Sequence, residues 1–162
     1  MATADRSAGL WVWEAGTDRE FYRLDGHKGA ITDLAWRPDS NVLASCSEDG
    51  TVKLWNMLDG NLIRSINAHG GGVETIDFLP DGRLVSGGRD KTVKVWDAAG
   101  KAIKTFPAFP EIVLEVAASF DGRHIVAGDW SGEIRLLDIE SAKTTAVLTA
   151  YPQAAAPAAP AP

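Results

Sequence analysis

Along this chain, short apolar runs of four to eight residues alternate with polar clusters rich in Gly, Asp, Ser and Pro, and no stretch carries a helical period. The runs 30–36, 72–78 and 112–119 are apolar-rich. Each is followed by a second run at 41–47, 83–88 or 123–129. A third run follows at 51–55, 92–96 or 133–137, where apolar and polar residues strictly alternate, and a fourth at 61–66, 101–106 or 143–148. Alternation with a period of two is the mark of a strand with one face buried. Asp-Gly at 49–50 and 59–60, Pro-Asp at 38–39 and 80–81, and Ser-Gly at 131–132 separate the runs. Tight turns of this kind join antiparallel hairpins.

The runs repeat as a set. SEDGTVKLWN (47–56) returns as GRDKTVKVWD (88–97), and Trp13, Trp55, Trp96 and Leu137 are spaced by 42, 41 and 41 residues. His27 and His69 keep the same step, as do the turns at 37–40, 79–82 and 119–122. A period of about 40–45 residues with four strands per unit predicts propeller blades. The expected fold is all-β, a partial β-propeller of about 3.5 four-stranded antiparallel blades with 14 strands, open as an arc unless further blades complete it. Residues 1–150 form the propeller segment. A half blade spans 10–24, with its first two strands absent, and full blades span 27–67, 69–107 and 109–149. The Ala/Pro stretch 151–162 is expected to be disordered.

Gly26-His27 opening a unit and Trp55-Asn56 or Trp96-Asp97 closing it resemble the WD-repeat family, and the resemblance covers the chain to about Leu148. It implies a hydrogen-bonded tetrad in each complete repeat: His27, Ser45 (or Ser47), Asp49 and Trp55, then His69, Ser86, Asp90 and Trp96. The donors and acceptors match, since Trp donates once, neutral His donates and accepts, and Asp only accepts. A His–Asp–Ser set also suggests nucleophilic catalysis. Recurrence at the blade period and expected burial against Trp argue instead for a structural brace, because a nucleophile needs access to substrate. The last repeat departs from the pattern, with Phe109 in the His position, Ser131 in the Asp position and Leu137 in the Trp position. Apolar packing is expected to replace its tetrad. Its wording, VAGDWSGEIRLLD, resembles closing repeats of bacterial WD-repeat arrays, some fused to cytochrome c-like domains. No Cys-x-x-Cys-His is present here, so no haem is implied.

The resemblance implies a non-catalytic protein-interaction scaffold; the alternative is an accessory propeller segment of a larger enzyme or electron-transfer protein. No cofactor or metal is expected. A net charge of −6, with no basic run, argues against a nucleic-acid partner. No apolar run is long enough to span a membrane or to form a signal peptide, so the chain as written is expected in the cytoplasm. Cys46, the single cysteine, is expected to be a buried strand residue. Protein partners are expected on the face formed by the second-to-third-strand turns and the loops entering each blade. That face carries Lys28, Glu48, Arg89, Lys91, Phe109, Pro110, Glu111, Asp129 and Trp130, with Phe109 expected to pack inward in the vacant His position; Trp130, Arg89, Glu48, Lys28 and Glu111 are the candidate binding residues. Trp130 reads either as an interface anchor or as a plug over the altered last blade. Trp36 reads as core or blade-to-blade packing. The start in the middle of a blade suggests the C-terminal part of a longer propeller; the alternatives are self-association and an open arc.

Overall fold

In the computed structural model, which describes every residue except 15, 17, 18 and 150–162, the described residues are all strand, turn and loop. The proposed tail at 151–162 lies outside the described residues. None of the described residues forms a helix long and apolar enough to cross a membrane.

Three complete antiparallel blades follow one another. The first comprises β4 (Ile31–Trp36), β5 (Val42–Ser47), β6 (Thr51–Asn56) and β7 (Leu62–Asn67). The second comprises β8 (Val73–Phe78), β9 (Leu84–Gly88), β10 (Val93–Trp96) and β11 (Ala102–Thr105). The third comprises β12 (Val113–Ala118), β13 (His124–Asp129), β14 (Glu133–Asp138) and β15 (Lys143–Thr149). The first strands are neighbours, β4 packing on β8 and β8 on β12.

The partial blade corrects the sequence reading. It has three strands, β1 (Ala2–Ala4), β2 (Leu10–Trp13) and β3 (Glu20–Arg23), so the described strands number 15 rather than 14. β1 pairs with β2 in the second-strand position, with Thr3 opposite Trp11. Its sequence carries little strand signal, being three residues long with Thr3 its one β-branched side chain.

The repeat is written into the backbone as well as the side chains. Ala8, Gly50, Lys91 and Gly132, at the second-to-third-strand turn of the four units, all have positive φ between 64° and 85°. Ala8 and Lys91 show that the turn, rather than the residue, sets this conformation, at a steric cost that Gly avoids. β-Bulges recur too, at Val12/Trp13, Leu54/Trp55, Val95/Trp96 and Leu136/Leu137.

The core lies between blades. In strand β6, Val52 and Leu54 face one way into a cluster with Ile76, Phe78, Leu84 and Trp96 of the next blade. Trp55 faces the other way, against Leu10, Val12 and Leu24 of the partial blade. Alternation along each third strand thus supplies both faces of the blade. Between the second and third complete blades, Val85, Val93, Val95 and Phe106 meet Phe109, Ile125 and Leu137. Cys46 is buried, and desolvation pushes its thiol well above the ordinary range, so it packs as a small apolar side chain. Trp36 is 38% exposed and does not join the core, because it ends β4 where the chain turns away.

Candidate functional site

The structure brings both predicted tetrads together. In the first complete blade, His27 Nδ1 lies 3.1 Å from the Asp49 carboxylate and Nε2 lies 2.8 Å from Ser45 Oγ. Trp55 Nε1 donates to the same Ser45 oxygen at 2.9 Å. In the second, His69 Nδ1 is 2.7 Å from Asp90, His69 Nε2 is 2.7 Å from Ser86 Oγ, and Trp96 Nε1 donates to Ser86 at 2.8 Å. A neutral imidazole protonated on Nδ1 satisfies every atom: it donates to Asp and accepts from Ser, whose oxygen accepts from Trp. Ser45 holds the tetrad position in the first complete blade. Ser47 instead accepts from the amide of Asp49. The Asp carboxylates fix two further backbone elements. Asp49 accepts from the amides of Lys28 and Thr51 and from the Thr51 hydroxyl. One tetrad therefore ties together the entry loop, the second strand, the turn and the third strand.

The Ser–His–Asp order is also that of a hydrolase. Here Ser45 and Ser86 are wholly buried and their oxygens are occupied by Trp N–H groups, so neither hydroxyl is open to a substrate as folded.

Two partial versions flank these tetrads. In the partial blade, Trp13 Nε1 donates to Thr3 Oγ1 at 2.8 Å, the same ten-residue spacing as Ser45–Trp55 and Ser86–Trp96. In the third complete blade, Phe109, Ala127 and Leu137 take the His, Ser and Trp positions and all three are buried. The exchange is concerted, with apolar contact replacing each hydrogen bond, as the sequence suggests. One polar anchor nevertheless remains, two residues earlier than Ser131. Asp129, 5% exposed, accepts from the amides of Ser131, Glu133 and Glu111 and from the Ser131 hydroxyl. It thereby does for this turn what Asp49 does for the first blade. Asp129 belongs to the brace, and the expectation that it lies on the binding face does not hold. Phe109 is buried as well, under the guanidinium of Arg135, 4.1 Å from its ring centroid.

Burial lowers the pKa of both His27 and His69, and hydrogen bonds to Asp49 and Asp90 only partly oppose it. The unfolded chain therefore takes up protons first as pH falls through about 6.5. The stability that depends on neutral imidazoles is complete above that pH and is lost below it. Asp90, lowered to about 2, and Asp49, lower still, act at more acid pH, where their stabilisation is lost as pH falls below the ordinary carboxylate value. Asp33 and Glu115, raised by burial, oppose the trend there. The expected result is a lower urea midpoint at pH 6 than at pH 7.5. A flat profile over that interval would show that the imidazoles are not held neutral.

The turn face is organised by a four-fold series. Arg6, Glu48, Arg89 and Trp130 occupy the equivalent turn position in successive units, at steps of 42, 41 and 41. Arg89 donates through Nη2 to Glu48 of the preceding blade at 2.6 Å and through Nε to Glu74. Both carboxylates raise the Arg89 pKa. Arg89 and Glu48 thus take part in an inter-blade ion triad, while their side chains stay partly open to solvent. Glu111 pairs with Lys91 at 3.3 Å. The Lys28 side chain is exposed while its amide is held by Asp49. Trp130 stands clear of all of this at 74% exposure, its amide bonded to the carbonyl of Ile112, so the plug reading of this side chain is overturned.

The WD domain, G-beta repeat family matches residues 19–56, 60–97 and 100–138. The chain belongs to this family. Among its relatives, it is 32% identical over 149 residues to the nuclear distribution protein nudF of Aspergillus niger, covering 88% of this chain and 33% of that protein. It is 34% identical over 151 residues to the pre-mRNA-splicing factor cwf17 of Schizosaccharomyces pombe, covering 91% of this chain and 44% of that one. It is 30% identical over 136 residues to the WD40 repeat-containing protein HOS15 of Arabidopsis thaliana, covering 77% of this chain and 22% of that one. The chain spans less than half the length of each. These relatives are eukaryotic, and the bacterial affinity drawn from the last repeat finds no support among them.

Proposed function

We propose that this WD-repeat chain is a non-catalytic scaffold that binds a protein partner on its second-to-third-strand turn face, with Trp130 as the anchor. The observation that carries the reading is the exposure of this one indole. Its counterparts Glu48 and Arg89 are locked into the ion triad, whereas Trp130 is 74% exposed on a turn held rigid by Asp129. A large side chain presented on a fixed backbone loses little conformational freedom on binding and buries much apolar area. Lys28 and the Lys91–Glu111 pair form a polar surround that adds complementarity more than energy. The family relationship supports the reading, since two relatives are named for nuclear distribution and pre-mRNA splicing rather than for a reaction.

Affinity capture with the chain as bait, followed by titration of the purified partner, tests it. Trp130→Ala is expected to weaken binding by about 2 kcal/mol, roughly thirty-fold. Phe120, 98% exposed on a first-to-second-strand turn at the opposite face, is the control, and Phe120→Ala is expected to bind as the parent does. Unchanged binding by Trp130→Ala, or a loss confined to Phe120→Ala, would move the site elsewhere.

A further inference from the structure

We propose that a second copy of this chain packs head to tail on the open face of the third complete blade, setting its partial blade in the next position of the ring. The argument starts from internal equivalence. Val126, Ile134, Leu136 and Leu148 form one face of β13–β15, with Val126 opposite Leu136 and Ile134 opposite Leu148. Val126 is 45%, Ile134 36% and Leu148 65% exposed. Their counterparts in the first complete blade, Ala44, Val52, Leu54 and Ile66, are buried against the second. Their counterparts in the second, Val85, Val93, Val95 and Phe106, are buried against the third. The same face is thus covered in two blades out of three, each time by the Trp-side face of another blade.

The opposite end of the arc offers that complementary face. Leu10 and Val12 point to the first complete blade, so Trp11 and Trp13 share the other side of β2, both half-buried. Trp13 stands where Trp55 and Trp96 stand in the blades whose Trp side is already covered. Three existing interfaces therefore pair the two kinds of face left open. A pairing between unlike faces is heterologous: it closes if the rotation allows and otherwise propagates. Either form covers the apolar side chains that stand exposed among the described residues.

The pairing would also alter the turn face. Glu48 and Arg89, on neighbouring blades, touch across the boundary. The same step brings Arg6 of the second copy beside Trp130, as a cation next to an exposed indole. The pairing would leave open the cleft of about 400 Å³ between Ala2–Ala4 and residues 31–34, where no described strand lies in space between β1 and β4.

Light scattering on the size-exclusion peak of the full chain, from low to high micromolar, tests this with two blocked variants. Leu136→Glu charges one open face, with Val126→Glu as a second variant should the first fail to fold. Trp13→Glu charges the other, at the position whose counterparts Trp55, Trp96 and Leu137 are buried in the three existing interfaces, with Trp13→Lys as a second variant should the first fail to fold. Circular dichroism checks that each is folded. The expected result is assembly of the parent, two monomeric variants, and a dimer on mixing them, because one intact pair of unlike faces remains in the mixture. A parent that stays monomeric throughout overturns the proposal. So does a Trp13→Glu variant that still assembles alone, which would indicate like-face pairing, or a mixture that stays monomeric.

Discussion

Replacing Ser86 with alanine is expected to cost about 3 kcal/mol of folding stability, although it deletes one oxygen atom. Ser86 Oγ joins His69 Nε2 at 2.7 Å to Trp96 Nε1 at 2.8 Å, and the serine is wholly buried. Its loss leaves the imidazole acceptor and the indole donor unpaired in a region that water does not reach. Each buried group left without a partner costs about 1–3 kcal/mol, whereas the bond itself contributes only about 1. For a chain of this length the shift in thermal midpoint should be roughly 6–12 °C. Ser119→Ala is the comparison. Its hydroxyl bonds Asp121 and the backbone of His124 on a turn beside solvent, where water can replace it, and the expected loss is under about 1 kcal/mol. Paired thermal melts check the contrast. If the two variants lose the same stability, the tetrad is not the brace that the geometry describes.

That contrast also explains what was legible in the sequence. The tetrads were readable because they rest on four residue types at a fixed spacing, repeated once. Periodicity exposed the blades for the same reason, since strict alternation in 51–55 and 92–96 reports two faces that each bury against a neighbour. Features that depend on departures from the repeat were not legible. β1 escaped notice because Ala2–Ala4 has little strand propensity of its own and is held by pairing with β2. Once Thr3–Trp13 is set beside Ser45–Trp55, the ten-residue spacing is the signal that would have found it. Asp129 was assigned to the surface because its turn was aligned on Ser131. A carboxylate two residues earlier reaches the same amides, and spacing cannot show that without the chain path. The ion triad of Glu48, Arg89 and Glu74 is a meeting of side chains from two blades, set by the inter-blade rotation rather than by anything local. The exposure of Trp130 is likewise a matter of which neighbours are absent around it.

The third complete blade makes the strongest prediction, because it shows what the fold accepts in place of a tetrad. Phe109→His would restore the residue that His27 and His69 supply elsewhere, yet it is expected to destabilise by about 3 kcal/mol. The imidazole would face Ala127 and Leu137, which offer no hydrogen bond, and the aromatic face under the Arg135 guanidinium would be lost. Adding Ala127→Ser should return about 1 kcal/mol, since a hydroxyl at that position can donate to the imidazole as Ser86 donates to His69. Ala127→Ser alone should be destabilising, because it buries a hydroxyl against Phe109. The two substitutions are thus expected to be each unfavourable and jointly less so than their sum, a coupling that denaturant titration of the four chains would measure. Additive losses would mean that position 127 does not face position 109 as positions 86 and 69 face each other. A coupling of the stated sign would show that the tetrad and the apolar set are alternative solutions of one site, each stable only when all its members change together.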